Sequence, residues 1–309
     1  MQEVNYLVVI VGPTAVGKTE LCVRLAHYFK TEIISADSRQ FYREMIIGTA
    51  KPTADEQEGI THHFVNSHSV VEEYNAAAFE QDALACIETI LAQHKICILT
   101  GGSTLYIKML TDGMDEIPDV DPEIRVRLQH TLDIQGLEVL IKQLDELDPV
   151  YGQQVDRANP QRVMRALEVS IGTGMPYSSF RKGKKVERPF QIIKIGLNRD
   201  REELYQRIDA RMDLMLQNGL VEEVRNLISY RDKNALQTVG YREVFDFLDG
   251  MYDEAEMIRL LKRNSRRYAK RQLTWFTRDT EYQWFHPRQF DEIVQYIEKQ
   301  MANPKLPEA

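Results

Sequence analysis

One stretch near the amino terminus constrains the fold more than any other feature of the chain. Residues 12–19 read Gly-Pro-Thr-Ala-Val-Gly-Lys-Thr and fit the pattern G-x-x-x-x-G-K-[ST], a loop whose backbone N–H groups cradle a di- or triphosphate. An unbroken apolar run over 6–11 precedes it and predicts a buried parallel strand. Apolar residues at helical spacing follow it from Leu21 to Phe29. A plain glycine turn is the alternative, but strand, motif and helix in register favour a phosphate site.

The residues of this loop have distinct chemical tasks. Glycines let the chain turn so that its amides face an anion, and the helix N-terminus adds a favourable dipole. Lys18 supplies a positive charge to the outer phosphates, and the Thr19 hydroxyl is placed to ligate Mg²⁺. The predicted diphosphate- or nucleotide-binding residues are Gly12, Pro13, Thr14, Ala15, Val16, Gly17, Lys18 and Thr19. The motif does not specify which phosphate compound binds.

Composition narrows the class of protein. The 309 residues exceed one typical core, so a large domain with an insertion, or two domains, is expected. No apolar run approaches the ~20 residues of a membrane span, and no cleavable leader pattern opens the chain. The three cysteines lack C-x-x-C spacing, which predicts reduced thiols and no zinc site. We therefore expect a cytoplasmic protein without membrane contact, whose net charge of −8 still allows a local basic patch.

The strand and helix patterns predict an α/β fold. We expect a P-loop NTPase-like, parallel five-stranded sheet with flanking helices and a helical insertion. The five predicted strands cover 6–11, 31–35, 96–100, 191–197 and 282–285. His62 and His63 are interpreted as structural rather than as a metal pair, because neighbours on an extended segment point to opposite faces.

A helical pattern replaces the α/β alternation in the middle of the chain. Helix-start signals occur at Asp121-Pro122 and at Asn159-Pro160, where a capping residue precedes a proline. We divide the chain into a core, 1–115 and 187–309, which includes the C-terminal helices, and a helical insertion, 116–186.

Asp37 follows the second predicted strand, at the sheet edge where open α/β folds bind ligands. Three interpretations stay open for its carboxylate: a Mg²⁺ ligand, a general base, or a helix N-cap. The third strand ends in Thr100 without an aspartate, which weakens the hypothesis of a plain ATPase.

The segment 258–278 is basic although the chain as a whole is acidic. It contains eight lysines and arginines and no acid, and Arg259, Arg266 and Lys270 share one helical face. A face of one sign indicates a polyanionic partner, with a solvated helix face as the alternative.

Several blocks together resemble the bacterial tRNA dimethylallyltransferases, also called tRNA isopentenyltransferases. The resemblance runs from about Leu7 to Trp275, most of the chain, and a P-loop alone would not specify it. The matching blocks are 12–19, 35–42, 47–52, 101–106, 159–168, 207–211, 239–242 and 267–275. Two positions depart from the family pattern: Ser103 stands where a threonine is usual, and Phe41 replaces a smaller aliphatic residue.

The resemblance implies an enzyme that moves a dimethylallyl group from dimethylallyl diphosphate to N6 of the adenosine 3′-adjacent to a tRNA anticodon, releasing diphosphate. The P-loop would then hold a prenyl diphosphate with Mg²⁺ rather than ATP. Asp37 corresponds to the family's base and Arg211 to its diphosphate-clamping arginine, so we expect Asp37, Lys18 and Arg211 to be catalytic.

The resemblance also implies contacts with the anticodon stem-loop of tRNA, which the insertion is expected to share. The implied residues are Asp37, Ser38, Arg39, Gln40, Ser103, Arg125, Gln161, Arg162, Val163, Met164, Arg165, Gln237, Thr238, Val239, Gly240, Tyr241 and Arg242. The basic segment adds Arg266 and Lys270 as predicted tRNA contacts, and we expect the enzyme to be a monomer.

Two functions from other classes compete with this one. A small-molecule or nucleotide kinase would share the loop and sheet, with Arg162, Arg165 or Arg211 over the phosphates, but would not need the basic segment. A non-catalytic RNA-binding module would leave Asp37 without a task at the strand end.

The Lys18→Ala variant is expected to lose turnover roughly 10²–10³-fold, because it removes one preorganised charge from the reacting phosphate. Steady-state transfer to tRNA measures the loss, and circular dichroism checks that the fold is retained. Near wild-type turnover would mean that the loop does not hold the reacting diphosphate.

Overall fold

The computed structural model describes residues 4–183 and 185–304. The chain divides into two compact units. One contains the residues up to Thr111 and from Arg188 onward, and the other is Asp112–Glu187. The predicted insertion, 116–186, lies within the second of these ranges, apart from Lys184, which is outside the described residues.

The first unit is built on a parallel sheet with the strand order β3-β2-β4-β1-β5-β6. The strands are β1 (Tyr6–Val11), β2 (Ile33–Ser35), β3 (His62–His63), β4 (Ile96–Gly101), β5 (Gln191–Leu197) and β6 (Gln283–Phe285). The parallel α/β architecture is confirmed, but the prediction of five strands is wrong by one.

The additional strand is β3, which consists of two histidines at the edge of the sheet. His62 pairs with Ile33 of β2, and His63 Nε2 lies 2.5 Å from Glu32 Oε2. So short and polar an edge strand carries no apolar run, and the sequence pattern therefore could not identify it.

Helices flank the sheet in the first unit and make up most of the second. The helices are α1 (Lys18–Phe29), α2 (Ala54–Gln57), α3 (Ala76–Leu91), α4 (Thr104–Asp112), α5 (Pro122–Gln135), α6 (Leu137–Leu147), α7 (Pro149–Gln154), α8 (Pro160–Thr173), α9 (Arg201–Gln217), α10 (Leu220–Asn226), α11 (Tyr241–Leu248), α12 (Glu254–Phe276) and α13 (Phe290–Ala302). Short 3₁₀ turns lie at Tyr177–Phe180, Ile228–Tyr230 and Asn234–Leu236.

The central strand β1 is buried on both faces, as its continuous apolar sequence predicts. Val8 and Ile10 belong to one apolar layer, whereas Leu7 and Val9 belong to the other. Because successive side chains alternate between the faces, this one strand serves as a core element for both helix layers.

The carboxyl ends of β2 and β4 meet closely next to the P-loop strand. The Ala36 amide donates to Thr100 O over 2.7 Å, and a Cβ placed on Gly101 would lie 2.3 Å from Ala36 O. Only glycine fits at position 101, because the backbone that leads into Asp37 occupies the space of a side chain.

Both predicted helix starts of the second unit are confirmed. The Asp121 side chain accepts the Glu123 amide over 2.9 Å ahead of α5, and Asn159 accepts the Arg162 amide over 3.2 Å ahead of α8. The four helices α5–α8 enclose a core of their own, whose fully buried members include Leu140, Leu144, Val163, Met164, Ala166 and Leu167.

Candidate active site

The P-loop leads directly into the first turn of α1. Gly17 lies at this junction and has φ 107°, a conformation that favours glycine. The first helical bond is from the Leu21 amide to Gly17 O, so the amides of residues 18–20 have no partner within the helix. Lys18 Nζ donates to Gly12 O at 2.9 Å and to Pro13 O at 3.0 Å. The loop therefore gathers an ammonium group and free amides at one helix N-terminus, which suits an anion.

The electrostatics of Lys18 are those of a cation withdrawn from water. Burial lowers the pKa of Lys18 to about 8; nearby Asp37 opposes this shift and Arg211 adds to it. An anion bound at the loop would raise this pKa again and so favour the protonated ammonium.

Three arginines, one between β5 and α9 and two on α9, hold the outer side of the P-loop. Arg199 Nε donates to Val16 O at 2.7 Å, and Arg207 Nε donates to Ala15 O at 2.9 Å. Arg211 Nη2 donates to Thr14 Oγ1. Both Arg207 and Arg211 therefore reach the phosphate loop.

Arg211 is suited to hold an anion. Within residues 4–183 and 185–304 its Nε is buried and has no hydrogen-bond partner. Burial lowers the pKa of Arg211 to about 10; Asp37 opposes this shift and Arg207 adds to it. A buried N–H without an acceptor is costly, and a phosphate oxygen would satisfy it.

Asp37 caps a turn rather than a helix, so the interpretation as a helix N-cap is wrong. Its Oδ1 accepts the Arg39 amide at 3.0 Å and the Gln40 amide at 3.4 Å. Among the described residues no hydrogen bond engages its Oδ2. The carboxylate is thus fixed through one oxygen while the other is available to a ligand.

Two side chains that were predicted to contact tRNA form hydrogen bonds within the protein around this turn. Ser103 Oγ accepts the Ser38 amide at 2.8 Å and donates to Ser38 Oγ at 3.0 Å. Gln40 Nε2 donates to Thr49 O and to Ala50 O, both at 3.2 Å. Both side chains position the turn that carries Asp37.

A cavity joins the P-loop to Asp37 and to an apolar wall. Thr14, Asp37, Arg39 and Arg211 supply its polar edge. The remaining lining residues are Gly48, Thr49, Ala50, Met212, Met215, Leu220, Thr238, Val239, Gly240, Ser265 and Tyr268. Groups predicted to bind a diphosphate and a short apolar pocket therefore share one space.

Glu223 of α10 fixes the loop that forms one side of this cavity. Its carboxylate accepts three consecutive amides, those of Ile46 at 2.9 Å, Ile47 at 2.7 Å and Gly48 at 3.0 Å. It also accepts the Tyr241 hydroxyl at 2.6 Å. Sequence reasoning missed Glu223, because a glutamate on an amphipathic helix carries no local signal of such a role.

A second, polar cavity shares Arg39, Thr238, Val239 and Tyr268 with the first. It is lined in addition by Ser38, Gln237, Arg242, Glu243, Asp246, Tyr252, Leu260, Arg263, Asn264, Arg267 and Arg271. The three arginines of α12 that line this cavity are four residues apart and therefore share one helix face. The cationic face toward this cavity consists of Arg263, Arg267 and Arg271.

The helix face predicted from the sequence is a different one. The prediction that it carries positive charge alone is wrong for two of its three members. Arg266 pairs with Asp209 at 2.6 Å, and Arg259 pairs with Glu256 at 2.6 Å. The predicted Lys270 is exposed and lines a separate groove. Asp209 lies on α9 and Glu256 lies at the start of α12, so both acids are outside the basic segment 258–278.

Three of the predicted tRNA contacts have fully buried side chains: Tyr241, Val163 and Met164. Their side chains serve the apolar cores, so a role in direct RNA contact is not supported. In the second unit, Arg125 and Arg165 both lie 3.2 Å from Glu168 Oε2. Gln161 accepts from Arg125 at 2.7 Å, which makes one organised polar cluster on α5 and α8.

The family model described as IPP transferase matches residues 40–279. The chain belongs to the IPP transferase family. It is 54% identical to the tRNA dimethylallyltransferase of Cytophaga hutchinsonii over 297 residues, which cover 96% of this chain and 98% of that protein.

Solved structures are similar to this chain along most of its length. The tRNA isopentenylpyrophosphate transferase of Bacillus halodurans has a TM-score of 0.72 at 37% identity, covering 96% of this chain and 97% of that one. A eukaryotic dimethylallyltransferase acting on tRNA has a TM-score of 0.77 at 27% identity, covering 98% and 81%. In the part of the chain that the structure describes, no helix combines the length and apolarity needed to cross a membrane.

The Arg211→Lys variant is expected to bind dimethylallyl diphosphate roughly ten- to a hundredfold more weakly. An ammonium group lacks the planar fork that bonds Thr14 and presents a second N–H to the ligand. Calorimetric titration measures the affinity, with Arg225→Lys as the control because Arg225 is an exposed arginine paired with Glu222. Unchanged affinity in Arg211→Lys would remove this residue from the diphosphate site.

Proposed function

We propose that this chain transfers a dimethylallyl group from dimethylallyl diphosphate to N6 of the adenosine 3′-adjacent to the anticodon of tRNA, releasing diphosphate. The observation that carries the proposal is the cavity that joins Thr14 of the P-loop and Asp37 to the apolar side chains of Met212, Met215 and Leu220. Membership of the IPP transferase family supports the same reaction.

In this proposal the P-loop binds the diphosphate of the donor. The Lys18 ammonium, the amides at the start of α1 and the Arg211 guanidinium supply positive potential. As the bond between the allylic carbon and the bridging oxygen breaks, negative charge grows on the diphosphate, and these fixed groups stabilise it. The apolar wall excludes water from the allylic carbon, which protects it from hydrolysis.

Asp37 acts on the acceptor. The adenine amine forms the new bond to the allylic carbon, and one amine proton passes to the carboxylate oxygen that the turn leaves without a hydrogen bond. The base must leave its stack to enter the site, and the polar cavity beside Asp37 lies in a suitable place to admit it.

The oxygen ligand available at the P-loop suits Mg²⁺. This ion keeps most of its water and binds through few protein oxygens together with phosphates. The Thr19 hydroxyl, which follows Lys18 at the start of α1, would hold the ion. When bound, Mg²⁺ would neutralise charge on the departing diphosphate. Within the described residues, no group of three or more histidine, cysteine, aspartate or glutamate side chains forms a metal site.

The tRNA would meet two basic surfaces. One is the α12 face of Arg263, Arg267 and Arg271. The other is the cluster of Arg125 and Arg165 around Glu168, which supports the insertion as a tRNA-contacting part. A monomeric state and a cytoplasmic location remain predictions from the sequence.

A kinase is the weaker alternative. Thr100 is the penultimate residue of β4, and its hydroxyl donates to Ile10 O at 3.1 Å, so a hydroxyl tied to the sheet stands where a kinase of this class carries an acid. The family match further favours the transferase.

The reaction itself provides the test. Purified protein, Mg²⁺, tRNA and labelled dimethylallyl diphosphate should yield labelled tRNA without ATP, and added ATP should compete with the donor because both polyphosphates need Lys18 and the same amides. Strict ATP dependence, or phosphoryl transfer to a small molecule at a comparable rate, would favour the kinase.

The neighbouring residues Arg267 and Arg266 provide a matched pair on α12. We expect Arg267→Ala to weaken tRNA binding and to reduce the salt slope of log Kd by about one, because one phosphate contact is lost. Arg266→Ala should change the slope less, because Asp209 already neutralises its charge. Filter binding at several salt concentrations measures both, and equal slopes in the two variants would contradict this assignment.

A further inference from the structure

Gln272 lies on α12 with 4% of its surface exposed, and it joins two loops that are distant in sequence. Its Oε1 accepts the Thr14 amide of the P-loop at 2.9 Å. Its Nε2 donates to Gly102 O at 2.9 Å, in the turn that follows β4. One side-chain amide therefore bonds the donor side and the acceptor side of the site at once.

The fit around Gln272 is close. A Cβ placed on Gly102 would lie 2.3 Å from Gln272 Nε2, so the turn approaches the amide as nearly as glycine permits. The next residue, Ser103, accepts the Ser38 amide at 2.8 Å, and Ser38 follows Asp37 directly. A continuous path of bonds leads from the P-loop through Gln272 to the turn that carries the carboxylate.

Glutamine has the chemistry that this position needs. The Thr14 backbone N–H needs an acceptor and Gly102 O needs a donor. The planar side-chain amide of glutamine supplies both. A glutamate carboxylate accepts but does not donate, and an apolar side chain would leave both the Thr14 amide and Gly102 O without this partner.

We propose that Gln272 is a positioning residue that sets the distance between the donor's allylic carbon and the acceptor amine, without touching either. The inference rests on the proposed function. Reacting atoms must stand within a narrow range of separations, and a misplacement of about 1 Å costs on the order of 10²-fold in rate. Loss of the bridge should therefore lower kcat and leave the binding of each substrate largely intact.

Three variants test this role. Gln272→Met keeps the volume and removes both bonds, and it should lower kcat by roughly 10²-fold while the Kd for donor and for tRNA each change less than about threefold. Phe276→Leu, one turn further along α12 and fully buried, is the control for general destabilisation and should keep kcat at a temperature well below its Tm.

Gln272→Glu adds a readout that a merely structural role would not move. Burial raises the pKa of a carboxyl group, and the protonated acid regains a donor for Gly102 O. Its kcat relative to wild type at the same pH should therefore rise as the pH falls from about 8 to about 6. The ratio cancels any titration that both proteins share.

The outcomes separate the two hypotheses. Absence of transfer by the wild type would overturn the proposed function itself. Transfer by the wild type together with unchanged kcat in Gln272→Met, an equal loss in Phe276→Leu, or a ratio for Gln272→Glu that is flat with pH would overturn the positioning role alone.

Discussion

The candidate site depends on two cations that the protein holds away from water beside one carboxylate. Burial lowers the pKa of both Lys18 and Arg211, and the charge of Asp37 opposes the shift in each case. Such an arrangement is costly without a counter-anion, because desolvated like charges repel. Loop oxygens offset part of that cost, and a bound diphosphate would offset more. The site is therefore electrostatically complementary to its proposed ligand.

The groups that shape the P-loop come from distant parts of the chain. Arg207 and Arg211 of α9 bond Ala15 and Thr14, and Gln272 of α12 bonds the Thr14 amide. A glycine-rich loop alone has many conformations, and these long-range bonds select one before any ligand arrives. The same helices supply the apolar wall and the cationic face, so shape and charge are set by one scaffold.

Sequence alone predicted the features that local patterns determine. The P-loop, the parallel sheet and the helix starts at Asp121 and Asn159 follow from short-range rules of spacing and capping. Features that depend on neighbours in space were missed. A helical wheel gave Arg266 a free charge, but the compensating Asp209 lies on another helix. Likewise Tyr241 occurs in a family block although its side chain is buried, and no local pattern distinguishes Glu223 or Gln272 from ordinary helix residues.

The distance along the chain between the P-loop and its partners has a consequence for synthesis on the ribosome. The phosphate-binding motif emerges among the first residues, whereas Gln272 follows 258 residues after Thr14. Until α12 has emerged and docked, the Thr14 amide and Gly102 O lack the partner that joins them. A nascent chain thus carries the phosphate-binding motif long before Gln272 can join it to the turn after β4, and a chain that terminates before α12 lacks that bridge altogether.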